Sequence, residues 1–110
     1  MNLGMLLTTS PEHQNSRTVV ALARAALARG HEVSLFLMDD GVYNLVPGPR
    51  VKAAGWFAEL ARAGARLVVC ALSMEERGVS KESVIEGVIF GNQYLHAQIV
   101  HGSDRFLTFS

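Results

Sequence analysis

The chain has 110 residues, enough for one hydrophobic core but not for two. Ten basic and ten acidic side chains cancel with no run of like charge, which argues against a basic nucleic-acid-binding face. Hydrophobic residues make up 49% of the chain and mean hydropathy is +0.21, so part of this apolar surface is expected to lie between subunits of an oligomer.

The lone cysteine, Cys70, excludes an internal disulfide and fits a reducing cytoplasm. The N-terminal run MNLGMLLTTSPEH has no basic segment, and its apolar part is too short for a signal peptide or a membrane span. A single domain over residues 1–110 is expected, with no linker and no low-complexity stretch.

In chain order, Asn2 to Thr8 reads as a buried strand stopped at Thr9-Ser10-Pro11. Asn15 or Ser16 then caps a helix running to about Arg29. Its apolar positions, Val19, Val20, Ala23, Ala26 and Leu27, recur at helical spacing, and Gly30 supplies the residue that ends it. Glu32 to Met38 reads as a second strand, and Pro47, Gly48 and Pro49 make residues 42–53 mostly loop. Ala54 to Ala63 forms a second helix burying Trp56, Phe57, Leu60 and Ala61, closed by Gly64.

Arg66 to Ala71 is a third strand. Ser73 and Glu76 then have capping-box spacing for a short helical turn before Gly78. Lys81 to Glu86 suggests another short helix, and Gly87 to Phe90 a weak strand. Gln93 to His101 reads as an amphipathic helix and Asp104 to Phe109 as the last strand. Strands alternating with helices predict an α/β fold, a parallel sheet with helices on both faces.

Reactive groups in such sheets collect at the carboxyl ends of the strands. Thr8 to Ser10, Asp39 to Gly41, Cys70 to Ser73, and Gly91 to Gln93 are expected to converge there. Cys70 ends a strand just before a helix start, and a helix N-terminus or a nearby cation such as Arg77 would stabilise a thiolate. A buried, inert cysteine fits the same pattern, and the residues alone leave both readings open.

Asp39-Asp40 points to a turn-and-cap role more than to a metal or acid–base pair, because adjacent strand residues face opposite ways. His13, His31, His96 and His101 lack metal-ligand spacing and read as surface or interface residues. No phosphate-binding glycine loop or nucleophile elbow follows a strand. No cofactor and no metal are therefore expected. Tyr43 and Tyr94 flank the same edge and would wall a shallow pocket or an interface.

Three segments carry a resemblance. GHEVSLFLMDDGVYNLV (Gly30 to Val46) is similar to the second-strand signature of the DsrE/DsrF/TusD-like sulfur-relay family. VVCALSMEERGV (Val68 to Val79) resembles its cysteine loop, and GVIFGNQYLHAQIVHGSDRFLTF (Gly87 to Phe109) its closing helix and strand. The resemblance spans nearly the whole chain.

It implies a three-layer α/β/α domain with a five-stranded parallel sheet. It also implies homotrimers or hexamers, or hetero-oligomers with sister subunits. Cys70 matches the sulfur-accepting cysteine, which carries a persulfide, and Arg77 is the candidate thiolate stabiliser. The implied activity is a cytoplasmic sulfurtransferase or sulfur carrier serving sulfur oxidation or tRNA thiolation. Its partners would be sulfur-donor and sulfur-acceptor proteins, with no direct nucleic acid and no membrane. The alternative is a non-catalytic subunit of such an oligomer, in which Cys70 is only packing.

Overall fold

A computed structural model describes residues 1–110. Five strands, β1 (Asn2–Leu7), β2 (Glu32–Leu37), β3 (Arg66–Cys70), β4 (Val88–Gly91) and β5 (Arg105–Phe109), form one sheet in the order β4-β3-β2-β1-β5. Every pairing is parallel. The helices are α1 (Gln14–Ala28), α2 (Ala53–Arg62), α3 (Ala71–Glu76) and α4 (Gln93–Gly102), with 3-10 turns at Asp39–Leu45 and Lys81–Ser83.

Alternation along the strands divides the interior in two. Met5, Leu7, Leu35, Leu37, Leu67 and Val69 point to the face covered by α1, α2 and α3, whose Val19, Val20, Phe57, Leu60 and Met74 complete the larger core. Leu6, Phe36, Val68 and Cys70 point to the other face, under Ile99 of α4. The α4 connection returns from β4 at one edge of the sheet to β5 at the other, so right-handed crossovers put its helix opposite the rest. Burial of each Leu or Phe in these layers contributes about 1.5–3 kcal/mol.

The expected strands appear within a residue or so of their predicted bounds. Gly30 (φ 81°) and Gly64 (φ 105°) end the first two helices in the left-handed conformation that other residues rarely adopt. Three local expectations are corrected. Helix α1 starts at Gln14, and neither Asn15 nor Ser16 caps it: Asn15 reaches Thr9, and Ser16 is buried against Asn44. Residues 42–45 of the expected 42–53 loop belong to a 3-10 helix over Asp39–Leu45, where Asn44 satisfies the Thr9 and Gly41 carbonyls from inside. Only Lys81–Ser83 of the expected Lys81–Glu86 helix forms, as a single turn.

Gly41 has a demonstrable reason to lack a side chain. A Cβ there would collide with the backbone carbonyl of Leu7, which cannot move without disturbing β1. Gly55, in α2, would meet nothing within 4 Å. Gly41→Ala is expected to lower the unfolding free energy by about 1–3 kcal/mol. Gly55→Ala should raise it by about 0.5–1 kcal/mol. Urea denaturation of the two variants measures both, and equal effects would contradict the packing described.

Candidate functional site

β1, β2, β3 and β4 end side by side, and the four segments that follow are tied to one another. The Met38 N–H donates to the Leu7 carbonyl at 3.2 Å. The Asp39 N–H donates to Ser73 Oγ at 2.9 Å. Gln93 Nε2 reaches Met38 Sδ at 3.5 Å, and Asn44 Nδ2 donates to the Thr9 carbonyl at 2.9 Å. The predicted convergence at the carboxyl edge of the sheet is therefore present, with Cys70 paired to Gly91 across β3 and β4.

The capping box expected at Ser73 and Glu76 is not formed. The chain turns into α3 immediately after β3, so Cys70, with extended backbone (φ −71°, ψ 112°), is the capping residue. Its Sγ accepts the Ser73 N–H at 3.5 Å. Ser73 is the third residue of the helix, and its hydroxyl is free to hold the β2 loop through Asp39. Asp39 itself has φ 51°, a left-handed conformation that Asp tolerates better than most residues. That conformation turns the chain from β2 into the 3-10 helix.

Cys70 is 5% exposed and packs with Leu6, Phe36, Val68 and Ile99, with Met38 and Leu95 at the margin. Arg77 follows α3. Its Nε donates to Asp40 Oδ1 at 2.9 Å and its Nη1 to the Ser73 carbonyl at 3.2 Å. The hydrogen bond to Asp40 raises the Arg77 pKa, so this guanidinium stays charged. Arg77 thus reaches the cysteine turn through the backbone of Ser73.

Asp39 and Asp40 diverge as expected, one turning the backbone and the other pairing with Arg77. Asn92 caps α4, its Oδ1 accepting the Leu95 N–H at 3.1 Å. Tyr94 is 73% exposed beside that cap, whereas Tyr43 lies on the other side of the edge, lining a groove with Trp56.

Two features went unseen in the sequence. The first is Asn44, fully buried and bonded to Ser16, Thr9 and Gly41. Its signal is a lone amide inside the apolar run Val42 to Val46. The second is His96, read as a surface or interface residue. Its ring stacks on Phe36 with centroids 4.7 Å apart and lies 5.8 Å from that of Phe106. Nδ1 is 3.0 Å from Gln93 Oε1, while Nε2 is inaccessible and has no hydrogen-bond partner. No sequence spacing announces this, because the contacts come from β2 and β5.

Desolvation pushes the His96 imidazole below its ordinary value of 6.5. The unfolded chain therefore takes up the proton first as pH falls. The stabilising contribution is complete above about 6.5 and is lost progressively below it, toward the folded-state value. Thermal unfolding of wild type and His96→Phe between neutral and mildly acidic pH tests this. Wild type should lose more stability on acidification than the variant, and parallel curves would contradict the assignment.

With this geometry in view, the relatives are informative. The sequence matches the DsrE/DsrF-like family over residues 1–109. An uncharacterized protein of Methanopyrus kandleri is 30% identical over 100 residues, covering 87% of this chain and 83% of its own. An uncharacterized protein of Methanocaldococcus jannaschii is 27% identical over 114 residues, covering 99% and 100%. Among solved structures, the YchN protein of E. coli superposes with a TM-score of 0.83 at 23% identity over 99% of both chains. A protein of unknown function from Methanobacterium thermoautotrophicum reaches 0.80 at 14% identity, covering 96% and 97%. At these identities the two structures establish the shared fold alone. The chain belongs to the DsrE/DsrF-like family, a sulfur-relay-type family whose members are generally oligomeric.

Proposed function

We propose that the protein is a sulfur carrier that accepts sulfur as a persulfide on Cys70 and passes it to a cysteine of another protein. The observation that carries this reading is the position of Cys70. It ends β3 where four segments meet, and its sulfur takes an N–H from the first turn of α3. Family membership supports it, because the cysteine lies within the matched residues.

In the loading step the Cys70 thiolate attacks the outer sulfur of a donor persulfide. One S–S bond forms as the donor's breaks, and the donor leaves as a thiolate. Delivery repeats the exchange in reverse sense on the acceptor, so no external oxidant or reductant is consumed. The Ser73 N–H steadies the sulfur anion. Arg77, whose charge is largely met by Asp40, contributes at longer range and by holding the Ser73 carbonyl.

Leu72 (62% exposed) and Tyr94 (73% exposed) flank the cysteine segment and offer apolar surface to a donor, an acceptor or a sister subunit. In this reading the assembly is a homotrimer, a hexamer or a hetero-oligomer. The work is done in the cytoplasm between proteins, without direct nucleic-acid contact. No helix is long and apolar enough to cross a membrane.

The 5% exposure of Cys70 favours a second reading, a non-catalytic assembly subunit in which the cysteine fills space beneath α4. Intact-protein mass spectrometry after incubation with a persulfide-loaded sulfurtransferase separates the two. Wild type should gain a reducible one-sulfur adduct that moves to a second protein thiol, and Cys70→Ser should gain none. A correctly folded wild type that stays unloaded would transfer the conclusion to the assembly subunit.

A further inference from the structure

On the α1/α2 side of the same sheet edge lies a groove of about 860 Å3. That falls within the roughly 300–1,000 Å3 of small-molecule sites. It is bounded by the segment entering α1, the 3-10 helix with the loop after it, and the first turn of α2. Cys70 does not line it.

Its charge is unbalanced. Arg17, Arg50 and Lys52 line the groove, and none makes an ion pair or a side-chain hydrogen bond within the chain; the two ion pairs present are Arg24–Glu59 and Arg77–Asp40. Two carboxylates also line it, but both are engaged. Asp40 is met by Arg77, and Glu12 accepts the Ser10 hydroxyl at 2.6 Å. Three unpaired cations thus face one carboxylate without a counter-ion. Both α1 and α2 enter the groove by their N-terminal turns, and neither has a side-chain cap hydrogen bond, so their dipoles add positive potential.

The remaining wall is aromatic. Trp56, in α2, is half-buried and lines the groove, and Tyr43, 36% exposed, lines it too. Three unpaired cations together with an indole and a phenol in one lining suit a ligand that joins negative charge to a flat ring. A bare inorganic anion would leave the aromatic wall unused, and a neutral ring would leave three cations unmet.

We propose that this groove binds a small organic anion bearing a flat ring, of the nucleoside monophosphate class, with Arg17, Arg50 and Lys52 on the anionic group and Trp56 and Tyr43 against the ring. The site is separate from Cys70, so the proposal stands or falls independently of sulfur loading. It also differs from the glycine-loop nucleotide sites that the sequence lacks, because side chains rather than backbone N–H groups supply the phosphate contacts.

Trp56 is the only tryptophan, so its fluorescence reports on the groove without interference. The full-length protein is titrated with AMP, adenosine and ribose 5-phosphate, and each is repeated by calorimetry. AMP should give a saturable change and bind about tenfold or more tighter than either half-molecule. The double variant Arg50→Gln, Lys52→Gln, both exposed positions, should keep the wild-type melting temperature and lose AMP affinity by about tenfold or more. An unsaturable AMP titration overturns the proposal. So does adenosine or ribose 5-phosphate binding as tightly as AMP, or a folded double variant with unchanged affinity.

Discussion

The carboxyl edge of this sheet is organised by one buried amide. Asn44 has no solvent exposure, and its side chain meets Ser16 Oγ, the Thr9 carbonyl and the Gly41 carbonyl. Ser16 Oγ and the Gly41 carbonyl are buried, and each would cost about 1–3 kcal/mol if left unpaired. Because one side chain serves three segments, the loop after β1, the start of α1 and the 3-10 helix after β2 are fixed together. The close approach of Gly41 to the Leu7 backbone depends on that arrangement. The Asp39 to Ser73 bond then carries the order across to the cysteine turn. The same framework holds Tyr43 and Asp40 in the neighbouring groove.

How much of this was legible follows from the range of each interaction. Strand limits depend on local periodicity, and the ends of the first two helices on Gly30 and Gly64; these emerged within a residue or so. The convergence of Cys70 with the Asp39 and Gly91 segments follows from topology, since parallel strands with right-handed crossovers place all their carboxyl ends on one edge. Ser73 was misread because capping-box spacing is a local pattern, whereas the true cap is set by how abruptly β3 turns into α3. Asn44, His96 and the Arg17–Arg50–Lys52 grouping are made by contacts between residues distant in sequence, and no window along the chain contains them.

As the proposed sulfur carrier, Cys70 has two requirements that pull in opposite directions. Burial under α4 among Leu6, Val68 and Ile99 protects a sulfur anion from oxidants and also hides it from donors. The elements that cover it on the α4 side are fewer than those on the opposite face, where α1, α2 and α3 all pack. On that face its cover comes from α4, through Ile99 with Leu95 at the margin. On the proposed carrier reading, local opening of that cover, which costs less than global unfolding, reconciles a 5% exposed thiol with exchange chemistry.

The most direct test of that account is the alkylation rate of Cys70 in the native protein, followed across sub-denaturing urea concentrations. Exposure through local opening predicts a measurable rate that stays nearly flat with urea, because little surface is uncovered. A rate that climbs with the full slope of global unfolding would contradict it and leave Cys70 as a packing residue.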